Sequence, residues 1–270
     1  MTQLLKITCL LQLLLVFGGP ACAGTSVKAY LESLSRKNAW IKLDASIDHS
    51  RMRLDFEGPS AHGALFYDRE SSLLTFVDHL HQTVLPLSVE NQEAIKLLLT
   101  VFSSRLKGEV EGADPSAKQA YELAEENVQA FFNGVPQLEK KGVSLGAFTC
   151  DEYVTDLSGK KTREVWVTTP EKAGVNTEDY NTFRSLAHLA VELGAPLLAQ
   201  LGADADSFQQ NLSDPQWPLS EVLYSKGKAS VRFKVLGLSS KDFADGVFNP
   251  PVRYRVLSMM DLLKQGGTKP

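Results

Sequence analysis

The sequence predicts an α+β fold built on an antiparallel sheet, and three observations carry that expectation. Apolar residues alternate with polar ones over many short runs, the mark of strands with one wet face. Turn-forming residues separate those runs at short intervals. Two blocks with apolar spacings of three and four residues lie among the strands, and a sheet with one wet face needs such helices to cover the other.

The chain opens on a segment that reads as an export signal. Lys6 precedes an apolar run over residues 7–17, too short to cross a bilayer core of ~30 Å as a helix. Gly18, Gly19 and Pro20 follow, and then Ala21-Cys22-Ala23, a small-x-small pattern that suits a signal peptidase, so cleavage is expected after Ala23. An alternative makes Cys22 a lipidated N-terminus, because Ala21 places a small residue before it. The expected location is periplasmic or secreted, with residues 24–270 as one domain and no transmembrane segment in the mature chain.

From Ala39 onward the period is two: Ile41, Leu43, Ala45 and Ile47 alternate with Lys42, Asp44, Ser46 and Asp48, and Met52, Leu54 and Phe56 repeat the pattern. Gly58-Pro59-Ser60 turns the chain into two more short runs at residues 64–68 and 73–77. A helical insertion is expected over residues 88–133. Its first helix, over 89–106, spaces Ile95, Leu98, Leu99, Phe102 and Leu106 along one face, with Ser88, Glu90 and Glu93 at its start and Lys107-Gly108 at its end. Its second helix covers 117–132 and closes at Asn133-Gly134.

Strands resume at 138–143 and 148–156, and Ser158-Gly159 turns the latter into a hairpin with 163–168. Residues 179–193 read as a helix, with Phe183, Leu186, Ala187, Ala190 and Val191 on one face and Gly194 just past its end. A short helix is possible in the Gly-, Ala- and Asp-rich stretch, near 204–211. Two strands at 221–225 and 230–236 turn around Lys226-Gly227-Lys228, residues 245–254 are irregular, and 256–264 read as a terminal helix. No internal repeat is visible.

The chain carries 28 Lys and Arg against 32 Asp and Glu, a net of −4, and loss of Lys6 with the leader moves it to −5. No segment gathers a dense basic run, so a nucleic-acid partner is not expected. Cys9 and Cys22 belong to the leader, which leaves Cys150 without an internal partner and the fold dependent on its core. Phe148 and Cys150 alternate onto one strand face beside Asp151 and Glu152, the setting of a buried, unreactive thiol.

Chemical motifs are few. Gly142-Val143-Ser144-Leu145-Gly146 fits the Gly-x-Ser-x-Gly pattern of hydrolases, but such an elbow needs a buried strand before the serine and a helix after it, and neither flank fits. His188 is the only downstream histidine. Asp78, His79 and His81 have two imidazoles at metal-binding spacing without a further ligand nearby, and a hairpin turn accounts for them. Asp204 and Asp206 lack the glycine and glutamate of a calcium loop, and Asn211-Leu212-Ser213 matters as a sequon only in a eukaryotic host. Trp40, Trp166 and Trp217 read as core or sheet-edge aromatics, and no cofactor or metal is expected.

Three pieces of the chain carry a resemblance. They are Ala64-Leu65-Phe66-Tyr67-Asp68 leading to Leu74-Thr75-Phe76-Val77-Asp78, then Cys150-Asp151-Glu152-Tyr153 with Glu164-Val165-Trp166-Val167, and the closing Phe248-Asn249-Pro250-Pro251-Val252-Arg253-Tyr254. In that order, behind an export signal, they resemble a family of bacterial exported proteins with a domain of unknown function, itself similar to the periplasmic outer-membrane lipoprotein carriers. Arg253 stands where the closing motif commonly has glycine. The resemblance spans most of the mature chain and implies a strongly curved antiparallel sheet, an unclosed half-barrel, with helices packed on its concave face. It brings no catalytic residues.

Helices that cover a curved sheet incompletely leave an apolar cavity. The expected function is therefore non-catalytic binding of a hydrophobic ligand, a lipid or the acyl part of an exported protein. The expected lining is Met52, Leu54, Phe56, Leu65, Tyr67, Leu74 and Phe76 from the strands, with Leu98, Phe102 and Phe183 from the helices. An envelope protein with a filled core, docking a protein partner through its surface or a sheet edge, is the alternative. A hydrolase at Ser144 is a third reading.

Overall fold

The computed structural model describes residues 24–89, 91, 93–97, 99–100, 115–203, 216–258 and 261. The expected leader with its Cys22, the expected lining residues Leu98 and Phe102, and Asp204, Asp206 and Asn211 lie outside the described residues.

The protein is an α+β fold on one unclosed twelve-stranded sheet. Strands β1 (Gly24–Ser33), β2 (Trp40–Asp48), β3 (Arg51–Gly58), β4 (Ala61–Asp68), β5 (Leu73–Asp78) and β6 (Thr83–Leu87) form an antiparallel meander. Helix α1 (Pro115–Phe132) leads to a second meander, begun by β7 (Gln137–Leu145), β8 (Phe148–Leu157) and β9 (Lys160–Thr168). Helices α2 (Pro170–Ala173) and α3 (Thr177–Gln200) follow, and β10 (Trp217–Ser225) and β11 (Lys228–Lys241) complete it. The two meanders join where β11 pairs with β1, antiparallel. The two-residue β12 (Arg255–Val256) then adds to the far edge at β6, the one parallel pair among the described strands.

Alternation explains most of this. Val27, Ala29 and Leu31 of β1, Leu43, Ala45 and Ile47 of β2, and Met52, Leu54 and Phe56 of β3 are buried on one face, where α3 packs. β1 itself is absent from the sequence reading, although Val27, Ala29 and Leu31 alternate with Lys28, Tyr30 and Glu32 as clearly as any later strand. The Ser158-Gly159 turn is as expected, with φ of 54° and 75° in the left-handed region that two-residue hairpins require.

Other expectations are corrected. Helix α3 does not end at Gly194 but runs through Gly194-Ala195-Pro196 to Gln200. An interior glycine and proline cost about 1 and 3 kcal/mol. Leu197, Leu198 and Leu201 are buried beyond them, each contributing roughly 1.5–3 kcal/mol, so packing wins. Val256, expected to begin a terminal helix, lies in β12, because its neighbours bond the sheet edge: Arg255 N–H donates to Gln82 O and Leu257 N–H to Val84 O.

The start of α3 is locked to the sheet. Asn176 caps it by accepting from Asp179 N–H at 2.7 Å. The buried Asp179 carboxylate accepts from the Thr25 hydroxyl at 2.7 Å and from His49 N–H at 2.8 Å, and the Thr182 hydroxyl donates to His49 O. Helix α1 lies on β9 and β10, with Asn127 accepting from Ser230 Oγ at 2.7 Å and Phe131 under the Arg163 guanidinium at 4.5 Å.

The opposite face is wet over most of its width but not over β4–β6. There the chain beyond β11 runs as a strap. A 3₁₀ turn, Asp245–Phe248, seats Phe248 against Arg51, and Arg53 donates to Val247 O at 3.2 Å. Tyr254 then packs on a second small core of Ala64, Phe66, Val77 and Val84. This accounts for β4, where five consecutive residues are buried and alternation fails.

Candidate functional site

The strand residues expected to line a site share one face. In register, Met52 stands opposite Tyr67, Leu54 opposite Leu65 and Phe56 opposite Gly63, and β5 adds Phe76 opposite Leu65 and Leu74 opposite Tyr67. Gly63 leaves room for Phe56, since a Cβ there would stand 2.6 Å from the ring. Phe56 and Phe76 stack with ring centroids 6.0 Å apart. Phe183 reaches the same core from α3, against Trp217 at 5.9 Å. A single apolar layer results.

Its depth varies from place to place. Met52, Leu54, Leu65 and Leu74 are buried, whereas Phe76, Ile41, Leu87 and Leu99 are only partly covered. Residues 93–97 and 99–100 are helical, place the buried Ile95 against this layer, and are tied to α3 by Lys96 Nζ on Glu192 Oε1 at 2.9 Å. The sequence reading chose Leu98 and Phe102 from this helix, and its neighbours Ile95 and Leu99 are the ones seen in the layer.

Polar groups in the layer are sparse. Tyr67 Oη and Ser185 Oγ hydrogen-bond at 2.7 Å, and burial holds the Tyr67 phenol above its ordinary range despite that bond. Trp217, completely buried, has no partner for its indole N–H among the described residues. Under α1, the Arg163 guanidinium donates through Nε to Glu221 Oε1 at 2.8 Å. Burial raises the pKa of Glu221 against the pull of Arg163. Apolar walls with one or two polar groups are the general make-up of small-molecule pockets.

Neither Ser144 nor Cys150 has the setting of an activated nucleophile. Ser144 lies in β7, exposed, opposite Thr149 of β8, and the turn falls after it at Gly146-Ala147, so strands flank the motif where an elbow needs a helix. The Cys150 thiol is buried and donates to Val143 O at 3.2 Å; burial, then Asp151 and Glu152, push its pKa up. His81 Nδ1 bonds Asp78 Oδ2 at 2.7 Å within the β5–β6 turn, while His79 turns to Tyr254 at 3.1 Å, so the two imidazoles have separate partners. Among the described residues no group of three or more His, Cys, Asp or Glu is placed to hold a metal. Two surface depressions, of about 110 and 410 Å³, are lined mainly by charged residues, the first by Lys42, Asp44 and Glu57, the second by Lys140, Glu152 and Glu164. The first also meets Phe56 at the edge of the apolar layer, and the second is lined by no residue of that layer.

No protein-family model and no curated protein matches the chain. Among solved structures it is similar to an uncharacterized conserved protein from Thermus thermophilus, at 9% identity and a TM-score of 0.42, over 94% of this chain and 98% of that one. It is also similar to PNGF-II, at 8% identity and a TM-score of 0.38, over 90% of this chain and 32% of that one. At this level of likeness neither protein lends the chain a family or an activity.

Proposed function

We propose that the protein is an exported, non-catalytic binder of a hydrophobic ligand, a lipid or the acyl part of an exported protein, on a lipoprotein-carrier-like scaffold. The observation that carries this reading is the apolar layer between β2–β5 and α3, with the partly covered Phe76, Leu87 and Leu99 packed against it. An acyl chain seated there would gain ~0.8 kcal/mol for each buried CH₂. The Trp217 N–H is a buried donor of the kind that orients a ligand carbonyl.

Native mass spectrometry of the secreted protein tests it. The expected mass begins at Gly24, and the delipidated protein is expected to take up a long-chain fatty acid, less so after Phe76→Asp. Failure to retain or rebind any acyl compound would sink the carrier reading. It would leave the protein-docking alternative, which draws support from the dense packing of Met52, Leu54 and Leu65.

A further inference from the structure

The two ends of the sheet differ in chemistry. Register fixes which connections share an end. Glu32 lies opposite Trp40, Ser33 opposite Val231, Ser225 opposite Lys228, Leu157 opposite Lys160 and Gly63 opposite Asp78. The β1–β2, β3–β4, β5–β6, β8–β9 and β10–β11 connections are therefore gathered at one end of the strands. Gln137 opposite Val154 brings the entry to β7 there, and Arg255 opposite Thr83 brings the strap residues just before β12.

This end presents apolar tips. Leu34, Leu80, Val135, Leu138 and Val252 all lie at it, with exposures from 38% at Leu34 to 96% at Val252. The other large apolar residues that stand exposed among the described ones, Val89, Leu97, Leu236 and Val256, lie elsewhere. Exposed cations accompany the tips: Arg36, Lys37, Lys160, Lys226, Lys228 and Arg253. Asp78, the last residue of β5, is occupied by the turn that follows it, accepting from the N–H groups of Leu80 and His81. Glu57 and Asp156 stand exposed one residue inside the strand ends, and Lys226 lies 3.5 Å from Glu126 and 3.7 Å from Glu122 while its side chain stays 71% exposed.

At the opposite end the short turns carry Asp48, Asp68 and Glu70 beside Arg51 and Arg69, and they are largely self-neutralised. Arg51 lies 3.1 Å from Asp48, and Arg69 lies 2.6 Å from Glu178. No large apolar side chain is exposed in those described turns. In a chain of net charge −4, the basic end is a local departure from composition.

We infer that this end of the sheet docks on an anionic lipid surface. Cations there meet headgroup phosphates, and the apolar tips enter the boundary between headgroups and acyl chains. Nucleic acid would use the cations alone; the five apolar tips are what favour a bilayer. Turn tips spaced by strands about 4.8 Å apart form a row that a planar surface can meet at several points. The inference is independent of any ligand between sheet and helices.

Vesicle co-sedimentation tests it, with protein first stripped of retained lipid so that the outcome does not depend on an interior ligand. Binding is expected to phosphatidylcholine vesicles containing phosphatidylglycerol, with little to phosphatidylcholine alone, and is expected to weaken as salt rises. Each lost cation should lower partitioning about fivefold, so Lys37→Glu with Lys228→Glu should nearly abolish binding. Leu80→Asp with Val135→Asp should weaken it further than the added charge alone does in Ser35→Asp with Ser225→Asp, and Lys172→Glu, at the other end, should leave it unchanged. Equal affinity for neutral and anionic vesicles, no binding to either, or an apolar pair no weaker than its serine control would each overturn the inference, the last in favour of a soluble polyanion.

Discussion

Asp179 illustrates what a single buried carboxylate does here. Burial raises its pKa, and the hydrogen bonds from Thr25 and His49 only partly oppose that. A carboxyl whose folded pKa exceeds its unfolded one favours folding most below the unfolded value, and that advantage is lost as pH rises through the folded value. Asp179→Asn keeps the shape without the titration. Its stability relative to wild type, followed by urea unfolding across pH, is therefore expected to improve across that window and stay level above it; no change with pH would place the carboxylate in an ordinary setting. Asp179→Ala strands two donors and should cost about 3 kcal/mol. Neither Asp179 nor Glu221 reads as buried from sequence, because an acid at a helix start or in a strand is normally a solvent-facing residue. Glu221 did leave a trace: it shares parity with Leu219 and Leu223, both buried, and so breaks an apolar face. Only the fold reveals Arg163 waiting for it.

Among the elements, legibility followed solvent. β2 and β3 have one wet face, so their alternation located them and put Met52, Leu54 and Phe56 on the covered side. β4 is buried on both faces, and the strap that buries its outer side is irregular chain with no periodic signal. The far end of α3 was hidden by Gly194 and Pro196, since local propensity says nothing of the three leucines beyond. The strap also has a titratable contact. His79 bonds Tyr254 and faces the His62 ring at 5.0 Å, with Arg53, Asp55 and Asp78 around it, and burial followed by His62 lowers its pKa. A histidine with a lowered folded pKa supports the folded arrangement above its ordinary pKa and withdraws that support as pH falls below it. The protection factors of the Arg255 and Leu257 amides, which bond the β6 side, should therefore fall on mild acidification once the slower intrinsic exchange at lower pH is divided out, and His79→Phe should remove the response. Equal acid sensitivity in the variant would assign the effect to another group.

For the molecule as a whole, the α+β class and the antiparallel sheet were readable because both rest on periodicity. The strand order was not, since nothing local marks β1 as a central strand or β11 as its neighbour. That pairing sets how the chain can fold. The first meander closes through short turns, and the second does so except between β9 and β10, where α2 and α3 intervene, but Leu31 must find Phe233 across nearly the whole described chain. Contacts so distant in sequence form late, because loop closure has to precede any gain from them. Until β11 arrives, β1 is a bare edge that can recruit another chain, so fragments ending before Lys228 should aggregate. Gly24 stands opposite Lys241, so a circular permutant that leads from Lys241 to Gly24 through a tight turn would convert this late encounter into a local hairpin. In stopped-flow refolding it should fold faster than a linear chain that also lacks residues after 241. Of the described strands, the first to leave the ribosome is, on this topology, the last to be completed.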